Sequence, residues 1–263
     1  MIRAFHTSAT GMNAQQVLLD NTANNLANAN TTGFKASQVE FQDVLYSTLV
    51  QPGSLAATGQ QIPTGVQLGN GVRVAGTSRQ FSPGAINNTG HDLDIAIEGN
   101  GFFQVLMPDG SFRYTRDGSF HLNSNGDLVT GDGQFVQPRL TFPQDVTSVT
   151  IGADGTVSIT TAGSPNTSTT LGRLQVTRFV NPAGLSADGR NLFMETPASG
   201  TAQQFNPGEN GTGTLRGKSL EASNVQVVAE LVNLIQAQRT YEFNTKAIRV
   251  ADQMLSDTND LVR

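Results

Sequence analysis

The distribution of glycine and proline constrains the fold of this chain more than any other feature of its sequence. All ten prolines lie between Pro52 and Pro207, and all but Gly11 and Gly33 of the 28 glycines lie between residues 41 and 217. Glycine and proline are the residues that destabilise the interior of a helix most strongly. Both ends of the chain are therefore able to form long helices, whereas the middle is divided into short elements.

The first 26 residues carry an apolar stripe with the spacing of a helix. Its members recur at alternating intervals of three and four residues, with Gln16 as the polar exception. This heptad spacing is typical of helices that pack along a seam. The sequence predicts that the helix ends within residues 28–34, where Gly33 can adopt the left-handed conformation of a helix cap. The predicted seam comprises Ile2, Phe5, Ala9, Met12, Leu19, Ala23 and Leu26.

Residues 218–263 contain neither glycine nor proline, and Ser223 with Gln226 predicts a capping box at the start of a second helix. The complementary heptad position is polar, since Gln238, Thr245, Asp252 and Asn259 occupy it. A pattern of this length indicates a coiled coil or a helical array, and packing in an ordinary globular core is the alternative. The predicted seam recurs every seven residues, at Val227, Leu234, Tyr241, Ile248, Leu255 and Val262.

The middle of the chain has the pattern of a β domain. Short runs of alternating apolar and polar residues are separated by Asx-Gly pairs, which favour tight turns between antiparallel strands. Residues 46–74 lack this regularity and are nearly uncharged, which predicts a linker or an extended arm. The turn pairs are Asp109-Gly110, Asn125-Gly126, Asp154-Gly155 and Asp188-Gly189.

These patterns predict an α+β fold with four parts. Residues 1–40 provide the N-terminal helix and residues 218–263 the C-terminal helix, and the two helices pair as a coiled-coil domain. Residues 41–75 form the extended arm. Residues 76–217 form a central, mainly antiparallel β domain.

The composition excludes several classes of function. A net charge of −5 with 14% charged residues leaves no basic surface for a nucleic-acid backbone. The absence of cysteine excludes disulfides, thiol catalysis and sulfur-ligated metals. The run HDLD at residues 91–94 is better explained by a half-buried strand than by a metal site, and no phosphate loop or nucleophile elbow occurs. The sequence therefore predicts no catalytic residue, no cofactor and no metal.

The segment TANNLANANTTGFK, residues 22–35, resembles the amino-terminal signature of the flagellar basal-body rod and hook proteins. The matching signature residues are Asn24, Asn25, Leu26, Ala27, Asn28, Thr32, Gly33 and Phe34. Three further segments look like those of the same family: LDIAIEGNGFFQV at residues 93–105, YTRDGSF at residues 114–120 and the carboxy-terminal run from Glu221 to Ile248. The stretch within residues 46–74 is similar to an insertion typical of distal-rod members.

The resemblance implies a structural subunit, not an enzyme. A protein of this kind is expected to polymerise into a straight, hollow shaft across the periplasm, after export by the flagellar type III apparatus without a cleaved signal peptide. Its implied partners are copies of itself, the proximal rod proteins, the hook protein and the P-ring and L-ring proteins. A proximal rod or hook subunit is the alternative within the family. A peptidoglycan-acting periplasmic enzyme or carbohydrate-binding module is the alternative from another class.

Overall fold

The computed structural model describes residues 2–53 and 63–260. Helix α1 spans Ile2–Ala27 and helix α2 spans Val227–Asp260, and the strands lie between them. The central strands pair in antiparallel fashion, which confirms the α+β class and the mainly antiparallel character of the middle. The chain divides into two units. The helical unit comprises Met1–Leu26, Ser37–Ser78 and Gln226–Arg263, and the β unit comprises Ala27–Ala36 and Arg79–Val225.

Helix α2 begins later than its predicted cap. The backbone carbonyl of Gln226 accepts the first helical bond, from the N–H of Glu230 at 3.0 Å. The hydroxyl of Ser223 accepts only from the N–H of Val225, so the predicted capping box at Ser223 is wrong. The reason is tertiary: the side chain of Asn224 accepts a bond from the N–H of Ala36 at 2.7 Å, which holds the preceding backbone in an extended form.

The predicted arm contains strands. Strand β1 (Ser37–Asp43) pairs with β4 (Val72–Arg79), and β2 (Ser47–Val50) pairs with β3 (Val66–Leu68) in an antiparallel hairpin. Apolar and β-branched residues in these stretches favour such ladders over a solvated coil. Residues 54–62 of the predicted arm lie outside the described residues.

The β unit contains the remaining strands. They are β5 (Ile86–Asn88), β6 (Ile95–Glu98), β7 (Phe103–Leu106), β8 (Phe112–Thr115), β9 (Phe120–Leu122), β10 (Leu128–Thr130), β11 (Phe135–Gln137), β12 (Val146–Ile151), β13 (Thr156–Thr161), β14 (Ser164–Arg173), β15 (Val176–Arg178), β16 (Ser186–Gly189), β17 (Leu192–Met194), β18 (Gln203–Phe205), β19 (Thr214–Gly217) and β20 (Ser219–Glu221). A seven-stranded sheet has the order β16-β17-β8-β7-β11-β10-β9, and β12, β13 and β14 form a three-stranded sheet in sequence order. The pairs β15-β18, β19-β6 and β20-β5 complete the unit.

Three of the four Asx-Gly turns predicted from the sequence are confirmed: Asp109-Gly110, Asn125-Gly126 and Asp154-Gly155 each join two paired strands of the β unit, and their glycines have φ angles of 82°, 80° and 84°. The fourth prediction is displaced, because Asp188 and Gly189 lie in β16 and the turn to β17 is made by Arg190 and Asn191, with φ angles of 52° and 60°. The carboxylate of Asp109 shows the local mechanism, because it accepts a bond from the N–H of Ser111 at 2.8 Å and so closes the turn. Asp154 does the same for the N–H of Thr156.

Two apolar clusters form the core of the β unit. The larger cluster includes Phe103, Phe120 and Leu174, and the rings of Phe103 and Phe120 meet edge to face with centroids 5.1 Å apart. The smaller is built around Phe102 and Phe179. Both clusters are enclosed by strands of the β unit itself, so this unit buries its own apolar surface.

Candidate assembly interface

The apolar stripe predicted on α1 is only partly covered within one chain. Its members Phe5, Met12, Leu19 and Leu26 are half-buried, and the side chain of Ile2 lies outside the described residues. Three other residues of α1 are buried: Ala14, Thr22 and Asn25. The most covered positions of this helix are thus small or polar, and its larger apolar side chains keep part of their surface free.

The seam predicted on α2 is covered to different degrees along its length. Leu234 and Ile248 are half-buried, whereas Val227, Tyr241 and Leu255 are exposed. Val262 lies outside the described residues. The buried residues of the described helix are Ala237 and Ala251, each three positions after a predicted seam residue. Together they give a heptad strip at positions 230, 234, 237, 241, 244, 248 and 251, whereas Gln238 and Asp252 of the predicted complementary series are exposed.

The two helices contact each other at two levels. The side-chain amide of Asn25 donates to Glu230 Oε1 at 3.0 Å. About two heptads further along α2, the hydroxyl of Thr245 donates to the sulfur of Met12 at 3.5 Å. Because the residue number rises on α2 as it falls on α1, the helices run antiparallel. At the second level a Cβ on Gly11 would lie 3.0 Å from the side chain of Asn244, which explains a small residue there. Coiled-coil packing along the full seam stays a prediction.

A second stripe of apolar residues lies open on α2. Val228 is 77% exposed, and its neighbours on the helix surface are also open to solvent. Exposed apolar surface of this extent on a helix indicates an interaction site. The stripe, called here the outer stripe, comprises Val228, Leu231, Val232, Ile235, Phe243, Val250 and Met254.

Asn25, one of the signature residues, is buried and has every hydrogen-bonding group of its amide in use. Its Oδ1 accepts from the N–H of Ser37 at 2.9 Å, and its Nδ2 donates to the Ser37 carbonyl at 2.8 Å as well as to Glu230. The amide therefore holds the backbone that follows α1 against both helices of the helical unit. An unpaired buried amide would cost considerable stability, so the site requires these partners.

Gly33, a second signature residue, lies where the backbone of the β unit passes close to another segment. Its φ angle is 65°, and a Cβ there would lie 2.6 Å from the backbone nitrogen of Asp117. Its N–H donates to the carbonyl of Glu221 at 2.8 Å. Glycine is required because both the left-handed conformation and the close approach exclude a side chain.

A buried ionic cluster lies beside Gly33 and consists of Lys35, Arg116 and Glu221. Lys35 Nζ lies 2.7 Å from Glu221 Oε1, and Arg116 Nη2 lies 2.9 Å from Glu221 Oε2. The remaining donors of the two cations bond backbone carbonyls, among them that of Gly101 at 2.7 Å. All three side chains are almost completely shielded from water, which is rare for charged residues unless they are paired.

The carboxylate is the centre of this cluster. Burial on its own would raise the pKa of Glu221, but the charges and hydrogen bonds of Arg116 and Lys35 hold it below its ordinary value. Burial lowers the pKa of Lys35, and the charge of Arg116 lowers it further, while Glu221 opposes both effects. Two buried cations therefore depend on one ionised carboxylate.

The remaining signature residues have varied surroundings. Phe34 is buried, and the guanidinium of Arg79 lies 5.9 Å from its ring centroid. Leu26 and Asn28 are half-buried, and Asn24 is exposed. The sequence did not single out Lys35, Arg116 or Glu221, although each lies in a different one of the segments that resemble the rod and hook family. The presence of one charged residue in each of these segments was the available signal, and only the structure shows that the three residues meet.

The part of the chain that the structure describes has neither a cluster of metal ligands nor a helix suited to a membrane. Within residues 2–53 and 63–260, no group of three or more histidine, aspartate or glutamate side chains could hold a metal ion. None of the described helices is both long enough and apolar enough to cross a membrane.

Three protein-family models match separate parts of the chain. The model described as "Flagella basal body rod protein" matches residues 5–35. "Flagellar hook protein FlgE/F/G D1 domain" matches residues 96–159, and "Flagellar basal body rod FlgEFG protein C-terminal" matches residues 216–261. The matches thus fall on α1, on the β unit and on α2.

Similarity to curated proteins extends over the whole chain. The chain is 47% identical over 265 residues to the flagellar basal-body rod protein FlgG of Borreliella burgdorferi, with all of both chains covered. It is 46% identical to FlgG of Caulobacter vibrioides, with 99% of each chain covered. Identity falls to 31% with the flagellar hook-basal body complex protein FlhP of Bacillus subtilis, which covers 99% of this chain and 100% of that one.

Proposed function

The chain belongs to the flagellar basal-body rod proteins, and from that premise we propose that it is a structural subunit of the distal rod. In this role it polymerises into a straight, rigid, hollow shaft that transmits torque from the motor to the hook. One observation carries the assignment: the similarity to FlgG proteins covers essentially all of both chains. The lower identity to FlhP favours the FlgG type over that other hook-basal body protein.

The surface of α2 supports polymerisation through the helices. Its outer stripe exposes large apolar side chains such as Val228 and Ile235, while α1 carries almost no charge opposite its own stripe. Burying apolar surface stabilises by about 25 cal/mol per Å², so such a stripe favours contact with helices of neighbouring copies. In the polymer the predicted seams on α1 and α2 pack as a coiled coil.

The arm supports the rigidity of the shaft. Its hairpin of β2 and β3 exposes apolar side chains, including Leu49 and Val66, which are suited to contact with an adjacent copy. Bracing of each subunit by the arm of a neighbour makes a straight rod instead of a flexible hook. The proposed partners beyond the chain itself are the proximal rod proteins, the hook protein and the P-ring and L-ring proteins. The proposed position is the periplasm-spanning part of the basal body, reached through the flagellar type III export apparatus.

The helical interface is tested by Ile235→Asp in the outer stripe. Because Ile235 is half open to solvent, the single chain should keep its fold, as measured by circular dichroism, while polymers are lost in electron micrographs and motility is lost in cells. Gln238→Asp, at an exposed polar position of the same helix, is the matched control and should assemble normally. Normal rods from Ile235→Asp would rule out the outer stripe as an assembly surface.

Deletion of residues 46–66 tests the distal-rod assignment against the alternative of a proximal rod or hook subunit. Removal of the brace is expected to give curved or flexible polymers in electron micrographs. A polymer that stays straight without these residues would show that the arm does not determine stiffness, and the alternative within the family would then be preferred.

A further inference from the structure

A small aromatic pocket opens on the surface of the β unit. Phe81, Phe102 and Phe179 line it, with ring centroids 5.3 Å apart between the first two and 5.7 Å apart between the last two. The cavity measures about 170 Å³. An engineered apolar cavity of roughly 150 Å³ binds benzene, so the aromatic pocket has the size for one aromatic ring. Its walls offer ring edges and faces, which favour edge-to-face contact with a further ring.

An exposed arginine lies at the same pocket. Arg178 is exposed, and its Nη1 donates to the backbone carbonyl of Asn210 at 2.6 Å. Among the residues that the structure describes, no carboxylate pairs with it. A guanidinium carries five donors in a geometry that suits carboxylates. The combination fits an aromatic side chain that has a carboxylate close to it.

The chain itself carries such a pair on β1. Of the large apolar side chains that are exposed on the described strands, Phe41 alone has a carboxylate two residues away, at Asp43. Residues two apart lie on the same face of a strand at a separation of about 6.6 Å. Asp43 is exposed, and no cation of the described chain forms an ion pair with it.

We infer that β1 of one copy docks on the aromatic pocket of a second copy. The ring of Phe41 enters the cavity that Phe81, Phe102 and Phe179 line, and Asp43 pairs with Arg178. This inference rests on the proposed polymerisation, and it adds to the helical interface a contact between β1 and the β unit of a neighbour. The ring supplies buried apolar area, and the charge pair fixes the direction in which the strand lies.

The absence of cysteine from the chain allows a direct test by crosslinking. Leu45, two residues beyond Asp43, is 86% exposed, and Val180 at the pocket is 82% exposed. Full-length Leu45→Cys and Val180→Cys chains are mixed in equal amounts, assembled and oxidised, and the joined peptides are identified by mass spectrometry. Each chain then has one cysteine, so a mixed disulfide can only join two copies. Leu122→Cys, at another exposed position of the β unit, replaces Val180→Cys as the matched control.

The docking predicts a mixed disulfide between positions 45 and 180 in much higher yield than between positions 45 and 122. Adding Arg178→Glu to the Val180→Cys chain places like charges together and should lower the yield roughly tenfold. Adding Asp43→Arg to the Leu45→Cys chain restores opposite charges and should recover most of the yield. Equal yields with the control position, or a yield that ignores these charge changes, would overturn the inference.

A second measurement separates this inference from the proposed function. A peptide of residues 38–45 is titrated against the unassembled full chain by NMR, with Phe41→Ala and Asp43→Asn peptides as controls. Binding of the native peptide but not of the two control peptides, with chemical-shift changes at Phe102 and Phe179, supports the docking. If the wild-type chain at the same time forms no rods, the proposed polymer is rejected while the docking stands. Straight rods without peptide binding and without the mixed disulfide reject the docking and leave the distal-rod function in place.

Discussion

In the β unit, large side chains such as Phe103 and Leu174 are enclosed, whereas in the helical unit Phe243 and Val228 are open to solvent. The two units also differ in what they bury. The β unit buries large apolar side chains together with hydrogen-bonded polar groups such as Asp127 and the ionic cluster, while the covered positions of the helices are small or polar residues such as Ala14 and Ala237. The β unit therefore encloses its own apolar core within one chain, and the helical unit keeps large apolar side chains exposed for contact with other chains.

The largest expected effect concerns the charge at the centre of the β unit. Glu221→Gln leaves Lys35 and Arg116 buried without a counter-charge, which should lower the free energy of unfolding by about 3–5 kcal/mol. The free energy of unfolding is measured by urea unfolding that is monitored by near-ultraviolet circular dichroism. The control is Asp188→Asn, which removes the charge of an exposed carboxylate paired with the half-buried Arg113 and should change stability much less. Equal effects of the two changes would contradict the role of Glu221.

A matched pair of leucines compares the two units directly. Leu174→Ala removes a fully buried side chain and should cost about 2–5 kcal/mol of unfolding free energy, with little direct effect on assembly surfaces. Leu231→Ala, in the outer stripe, should leave the unfolding curve of the single chain nearly unchanged and reduce polymer yield in sedimentation. The comparison fails if Leu231→Ala destabilises the single chain as much as Leu174→Ala does.

Asn25→Ala tests whether a buried polar residue supports the helical unit. The change removes the hydrogen-bond partner of the Ser37 N–H and of the Glu230 carboxylate, at a cost of about 1–3 kcal/mol, while the Ser37 carbonyl keeps its bond from Asn21 Nδ2 at 2.6 Å. Hydrogen exchange should show the loss in α1 and β1, with the amides of β7 and β8 unaffected. Asn13→Ala, at an exposed asparagine of the same helix, is the control and should leave exchange in β1 as it is. Unchanged exchange in the Asn25 variant would show that its hydrogen bonds do not stabilise this unit.

The smallest expected effect appears only in alkali. Burial, together with the nearby charge of Glu195, raises the pKa of Tyr114 to about 12. The unfolded chain has an ordinary tyrosine pKa near 10. Because the unfolded state releases this proton first, stability should fall as the pH rises from 10 towards 12. Tyr114→Phe should remove this part of the pH dependence, and identical slopes for the two proteins would contradict the burial of the phenol in solution.

Several features of the fold follow from local sequence. The two helices were predictable because long stretches without glycine or proline carry a heptad pattern. The Asp-Gly and Asn-Gly turns were predictable because glycine adopts positive φ freely and the side chain of Asp109 or Asp154 bonds the backbone two residues on. The start of α2 was not predictable in the same way, because Asn224 is bound by Ala36, which lies 188 residues earlier in the chain.

The candidate assembly surfaces were predicted only in part. Heptad spacing identified Leu234 and Ile248 as members of a strip on α2, but the strip that is most covered also includes Ala237 and Ala251. Small residues give little hydrophobic signal, so the sequence does not show that these two alanines are buried. The strands of the arm were missed because residues 46–74 have no clear alternation.

The sequence by itself determined the kinds of element, their order and the separation of helical ends from a β middle, since each depends on residues near one another in the chain. Only the tertiary structure decided which helical faces are covered and which remain open. It alone brought Lys35 to Glu221 across 186 residues. Local preference limits the backbone angles of a segment. The contacts between distant segments depend on how the strands are connected and packed, so they cannot be predicted from any one segment of the sequence.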